Sequence, residues 1–173
     1  MKTLILGGVR SGKSRLAEQL ARESGLALIY LATARPDDPE MEARIAHHRS
    51  HRADGWCVVE EPCRLADALL RHARADRCVL VECLTLWLTN LLLAPGPGSY
   101  QREREALLAA LPTLPGRIIL VGNETNLGVV PLGELSRRFC DESGRLHQAL
   151  AQICERVFLT VAGLPLTLKG ESD

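Results

Sequence analysis

The chain has 173 residues, 46% of them hydrophobic, enough for one domain with a sizeable core and too few for two. Lys+Arg and Asp+Glu balance at 21 each, so no global field draws in nucleic acid or a membrane surface. No run reaches the ~18 apolar residues of a membrane span, and the first residues read as a strand and not a signal peptide. The expectation is one cytoplasmic domain over residues 1–173, with no nucleic-acid partner and no membrane span.

Residues 3–7 read as the first strand. Gly7-Gly8-Val9-Arg10-Ser11-Gly12-Lys13-Ser14 follows directly and matches G-x-x-x-x-G-K-[ST], the phosphate-binding loop of nucleotide triphosphatases. Glycines let the backbone curl its N–H groups toward phosphate oxygens. Lys13 can reach the β- and γ-phosphates, and the Ser14 hydroxyl can ligate Mg²⁺. A helix over Lys13–Glu23, with Leu16, Leu20 and Ala17, Ala21 at spacings of four, points its positive end at the same anion. Ser24-Gly25 stops it. Ala27–Ala32 is an unbroken apolar run, as suits a strand buried on both faces of a parallel sheet. Thr33, Ala34 and Arg35 follow at its carboxyl end, where ligands sit in such sheets.

Pro36-Asp37-Asp38-Pro39 reads as a turn, with Asp38 capping a helix from about Glu40 to His51. Within it Arg44, His47, His48, Arg49, His51 and Arg52 crowd together. Three readings stand side by side: a solvated basic face, a metal site from His47 and His51 four apart, and a phosphate-handling helix. The loop favours the third.

Trp56–Glu60 reads as a strand closed by Glu61-Pro62, and 65–75 as an amphipathic helix. Cys78–Cys83 is the next buried strand, and Glu82 at its carboxyl end suits Mg²⁺ or its water. Leu84–Leu93 is an apolar helix, 95–99 a flexible loop, 101–111 a helix, and Arg117–Gly122 a strand. The loop 123–133 faces the site by position. Residues 134–155 are largely helical with a break expected at Ser143-Gly144. Arg156–Ala162 is a strand and Leu166-Thr167-Leu168 a short last one. None of Cys57, Cys63, Cys78, Cys83, Cys140 and Cys154 forms a C-x-x-C pair, so free thiols are expected.

With those pieces placed, the chain resembles the bifunctional adenosylcobinamide kinase/adenosylcobinamide-phosphate guanylyltransferases of cobalamin biosynthesis, from about residue 3 to Lys169. The loop is shared with many families. The resemblance rests also on Tyr30-Leu31-Ala32-Thr33, Met41-Glu42-Ala43-Arg44-Ile45-Ala46-His47-His48-Arg49, Thr89-Asn90-Leu91-Leu92 and Val161-Ala162-Gly163-Leu164-Pro165. More specific are Arg44-Ile45-Ala46-His47-His48, Glu82-Cys83-Leu84-Thr85, and Asn123-Glu124 followed by Gly128-Val129-Val130-Pro131, in that order and at these spacings. The resemblance implies a RecA-like P-loop α/β fold, a mostly parallel sheet flanked by helices, and a homotrimer. It implies phosphorylation of the aminopropanol hydroxyl of adenosylcobinamide by ATP or GTP, with Mg²⁺. GMP then passes from GTP to that phosphate, giving adenosylcobinamide-GDP and pyrophosphate. The guanylylated residue would be His47. Gly7 to Ser14 would hold the phosphates. Thr33, Ala34, Arg35, His48, Arg49, Ser50 and His51 carry over as nucleotide contacts, Glu82 as the acid, and Glu61 as a neighbour of the guanine.

Thr125, Asn126, Cys140 and His147 depart from the family pattern and are expected to lie away from the nucleotide motifs. Physically, a histidine-rich helix suits nucleotidyl transfer through a covalent adduct, whereas a plain kinase has no need of one. A kinase of another small molecule and a regulatory nucleotide switch remain the competing classes.

Overall fold

The computed structural model describes residues 1–35, 55–94 and 98–170. Strands β1 (Lys2–Gly7), β2 (Ala27–Ala32), β3 (Trp56–Glu60), β4 (Arg77–Glu82), β5 (Arg117–Asn123), β6 (Arg156–Val161) and β7 (Leu164–Lys169) form one sheet in the order β3-β2-β4-β5-β1-β6-β7. All neighbouring pairs are parallel except β6–β7, an antiparallel hairpin. Helices α1 (Lys13–Glu23), α2 (Leu65–His72), α3 (Leu84–Leu93), α4 (Ser99–Ala110) and α5 (Glu134–Ile153) cover it, with a short 3₁₀ turn at Leu111–Thr113. This is the expected P-loop α/β class. One strand, β5, separates the loop-bearing β1 from the acid-bearing β4.

Two cores explain the continuous apolar strands. On one face Ile5, Leu80, Val121 and Phe158 pack against Ala17 and Ala21 of α1, whose small side chains let the helix approach the sheet. On the other, Leu4, Leu6, Leu31, Val79, Val81 and Leu120 pack against Leu69, Trp87, Leu107 and Leu150 of α2 to α5. Alternating residues of a central strand thus serve opposite cores, and neither face can be polar.

Most expected elements appear at or within a residue or two of the expected bounds. The α2 helix stops at His72, earlier than expected, because Ala73 turns extended at φ −68°, ψ 125°. The expected break at Ser143-Gly144 is absent, and α5 runs unbroken to Ile153. Gly144 is kept in the helix by a neighbour: a Cβ there would stand 3.1 Å from Asn126 Nδ2. The helical cost of glycine, about 1 kcal/mol, is outweighed by tertiary packing. The last strand is longer than expected because Ala162 (φ 52°) and Gly163 (φ 82°) make a tight turn that pairs Val161 with Leu164. The expected helix at 40–51 and most of the loop at 95–99 lie outside the described residues.

The six cysteines are free thiols, with Cys78 and Cys154 buried. Burial pushes the Cys154 thiol up to about 12, with the Glu155 carboxylate adding to the effect. An unfolded cysteine ionises near ~8.5, so between about 8.5 and 12 the unfolded state has released a proton that the fold retains. Stability contributed by the neutral thiol is therefore complete below that window and lost as pH rises through it. Cys154→Val should fall less in urea midpoint between pH 7 and pH 10 than the unsubstituted protein. Equal falls would remove Cys154 from the alkaline limb.

Candidate nucleotide site

At the end of β1 the chain turns into the loop with no room to spare. A Cβ on Gly7 would stand 2.3 Å from Thr160 Oγ1, 2.4 Å from Ser11 Oγ and 2.7 Å from the Thr160 carbonyl. Arg10 (φ 56°) and Gly12 (φ 98°) are left-handed, and the Gly12 carbonyl accepts from Leu16 N–H at 3.1 Å to start α1. This curl is what turns successive N–H groups inward. Gly8, Val9 and Arg10 are exposed on the outer side, whereas Ser11 and Lys13 are buried.

The Lys13 ammonium lies back over the loop and donates to the Gly8 carbonyl at 3.0 Å. Burial lowers its pKa from the ordinary lysine range, and the Glu82 carboxylate pulls the other way. The Ser14 hydroxyl donates to Glu82 Oε1, bringing the first turn of α1 onto the carboxyl end of β4. A hydroxyl and a carboxylate side by side are hard oxygen donors, the set that Mg²⁺ takes.

Thr33, Ala34 and Arg35 lie at the same edge. Thr33 is fully buried. Its hydroxyl donates to the Cys83 carbonyl and accepts from Cys83 N–H, both at 2.8 Å, beside a cis Glu82–Cys83 peptide. Thr33 therefore ties β2 to β4 and shapes the floor. Arg35 is exposed and its guanidinium reaches Cys63 Sγ at 3.0 Å. Glu61 holds the turn before α2: its Oε1 accepts from Cys63 N–H at 3.1 Å and Arg64 N–H at 2.9 Å, and its Oε2 lies 3.7 Å from Arg71. His47, His48, Arg49, Ser50 and His51 lie outside the described residues.

The sequence matches the family described as cobinamide kinase / cobinamide phosphate guanyltransferase over residues 3–168. It is 66% identical over 171 residues to the bifunctional adenosylcobalamin biosynthesis protein CobP of Pseudomonas aeruginosa, covering 99% of each chain. It is 38% identical over 182 residues to the bifunctional adenosylcobalamin biosynthesis protein CobU of Escherichia coli, covering 98% of this chain and 100% of that one. The chain belongs to the cobinamide kinase / cobinamide phosphate guanyltransferase family. It is accordingly a transferase of cobalamin biosynthesis with both activities. A solved protein of Pyrococcus horikoshii OT3 superimposes with a TM-score of 0.57 at 8% identity, covering 99% of this chain and 87% of that one, a likeness of fold alone.

Several residues that shape this family site carry no role in the sequence reading. Thr160 Oγ1 donates to the Leu6 carbonyl at 3.1 Å, so across their 2.9 Å contact it accepts from the Ser11 hydroxyl. Gly163 N–H donates to the Ser11 carbonyl at 2.8 Å. The β6–β7 hairpin thereby props the loop from behind. Asn90 Nδ2 donates to the Thr33 carbonyl at 2.8 Å and the Pro62 carbonyl at 2.9 Å, pinning α3 under the site. The one available signal is that Asn90 and Gly163 fall in motifs that carry the family resemblance and Thr160 just before one.

One expectation needs correcting. His147 does not lie away from the nucleotide motifs. Its Nδ1 is 3.7 Å from Glu124 Oε2, and Glu124 N–H donates to the Gly7 carbonyl at 3.0 Å. Burial lowers the His147 pKa against the opposing pull of Glu124. The cause is the unbroken α5, which carries His147 under Gly122: a Cβ on that glycine would lie 3.1 Å from His147 Nε2.

Gly7→Ala tests the close approach. A Cβ on Gly8 would have nothing within 4 Å, whereas one on Gly7 meets the fixed Thr160 carbonyl. Gly7→Ala should weaken GTP binding by at least about tenfold, the size of one lost charged hydrogen bond, and by far more than Gly8→Ala. Equal titration curves for the two variants would show that the loop has slack behind it.

Proposed function

We propose that this enzyme phosphorylates the aminopropanol hydroxyl of adenosylcobinamide with ATP or GTP, then moves GMP from GTP to that phosphate through a covalent intermediate on His47. The observation that carries the nucleotide chemistry is the Ser14–Glu82 contact at the mouth of a loop already curled around Lys13. The backbone of Gly7 to Ser14 cradles the phosphates, and Lys13 swings from the Gly8 carbonyl to the anion. Ser14 and Glu82 hold Mg²⁺, which when bound neutralises phosphate charge. In the kinase step the substrate hydroxyl oxygen attacks the γ-phosphorus and the nucleoside diphosphate leaves.

In the second step a neutral His47 nitrogen attacks the α-phosphorus of GTP, and the bond to pyrophosphate breaks. The corrinoid phosphate oxygen then attacks the phosphoramidate, and the histidine leaves. An imidazole near pKa ~6.5 is mostly neutral at pH 7 and suited to this. Thr33, Ala34, Arg35, Glu61, His48, Arg49, Ser50 and His51 complete the nucleotide site, Thr33 through its placement of the floor.

The enzyme works as a cytoplasmic homotrimer with no nucleic-acid partner in this reading. No described helix is long and apolar enough to cross a membrane. The outer strand β7 leaves Leu164, Leu166 and Leu168 exposed, and the loop after β5 leaves Leu127, Val129, Val130 and Leu132 exposed. Clustered apolar exposure of this kind supports burial between subunits.

Glu82→Gln keeps size and removes charge. It should raise the Mg²⁺ concentration needed for half-maximal rate in both reactions, and an unmoved Mg²⁺ dependence would reduce Glu82 to a structural partner of Ser14. The covalent route is tested with GTP radiolabelled at its α-phosphate. His47→Ala should abolish protein labelling and guanylyl transfer while leaving measurable hydroxyl phosphorylation, and His48→Ala should retain some label. Label kept by His47→Ala and lost by His48→Ala would move the nucleophile to the neighbour.

A further inference from the structure

The sheet order sets β5 between β1, which carries the loop, and β4, which carries Glu82. At the end of β5, Asn123 stands opposite Gly7 in the parallel ladder, and Val121, two residues earlier, stands opposite Glu82. Side chains alternate faces along a strand. Val121 packs in the core beneath α1, and Gly122 backs onto Leu6, Leu84 and His147 on the other face. Asn123 therefore belongs to the face of α1, the face of Lys13, Ser14 and Glu82. With strands about 4.8 Å apart, it occupies the gap between loop and acid.

The backbone and side chain of Asn123 have separate fates. Its N–H donates to Thr85 Oγ1 at 2.8 Å, fixing the end of β5 to the start of α3. Its half-buried side-chain amide makes no hydrogen bond to any described residue. A neutral donor suits a crowded anion site, because it binds a phosphate oxygen without adding negative charge beside Glu82. The loop N–H groups and the α1 N-terminus hold the inner phosphates, so the part of a triphosphate nearest Glu82 is its terminal group.

We infer that Asn123 is a further nucleotide-contacting residue, its side-chain amide donating to the γ-phosphate of the bound triphosphate. This rests on the reading that Gly7 to Ser14 hold that triphosphate. The contact exists with GTP and is missing with GDP, so Asn123 contributes to preference for the triphosphate and to alignment of the phosphoryl group that leaves in the kinase step.

The test is competitive titration of GTP and GDP, with Mg²⁺, against the full chain and its Asn123→Ala and Asn123→Asp variants. Asn123→Ala should cut the GTP-over-GDP preference by about tenfold, the size of one hydrogen bond to a charged group. GDP affinity should stay in place, and the kinase kcat should fall more than KM rises. Asn123→Asp, the same size but anionic, should lose more of the preference, and it decides the matter if the alanine variant does not fold. A GTP-to-GDP ratio equal to the unsubstituted protein's in a folded variant overturns the assignment, as does an unsubstituted protein with no preference for GTP. Failure of the unsubstituted protein to bind either nucleotide overturns the loop reading itself.

Discussion

The backbone of the phosphate loop lies directly against the β6–β7 hairpin, and the rest of the site depends on that contact. Gly7 has no space for a side chain because Thr160 fills it, and a Cβ on Gly12 would stand 3.0 Å from Gly163 Cα. The glycines of the motif thus have two different causes. Gly12 needs a left-handed φ to open α1 and to clear the hairpin, whereas Gly7 needs only the absence of a Cβ. Thr160 and Gly163 then fix the loop through Ser11, one at its hydroxyl and one at its carbonyl. A loop held from behind in this way needs little further ordering, and preorganisation of that kind favours both binding and charge stabilisation.

Beneath the loop the carboxyl ends of β2, β4 and β5 are joined by side chains as well as by the Thr33 N–H to Glu82 carbonyl bond. The Thr33 hydroxyl bridges β2 to Cys83, Thr85 Oγ1 receives the Asn123 N–H of β5, and Asn90 reaches from α3 to the Thr33 and Pro62 carbonyls. Each satisfies a backbone group where ladder pairing has ended, and such groups are costly to leave unpaired when buried. Thr85 and Asn90 acquire a reason from this: they hold strand ends beside the contact that sets Glu82 against Ser14.

The loop, the helix after it, the apolar β2 and the acid at the end of β4 were legible because each is local. A glycine pattern, a four-residue spacing and an unbroken apolar run all report on contiguous chain. What was not legible came from partners distant in sequence. Gly144 looks like a helix breaker until Asn126 is seen against it, and His147 looks remote until α5 proves unbroken. Thr160 is 149 residues from the Ser11 it supports, and no pattern in one chain announces that contact. The order of the strands was invisible for the same reason: the loop 123–133 could be read as site-facing, but not that Asn123 stands between Gly7 and Glu82.

That order also bears on how one loop can serve two transfers. In the proposed mechanism a triphosphate held by Gly7 to Ser14 would offer its γ-phosphorus toward Glu82 and Asn123 at the middle of the sheet, where an acceptor hydroxyl needs only access. Attack on the α-phosphorus must come from elsewhere, because the α-phosphate lies further toward the nucleoside. The chain leaves β2 at this same edge, through Thr33, Ala34 and the exposed Arg35, two strands away from β5. In the proposed mechanism the two chemistries share the phosphate cradle and Mg²⁺ but not the attacking group. In that mechanism removing the imidazole would silence one transfer, whereas the hairpin behind the loop would support both.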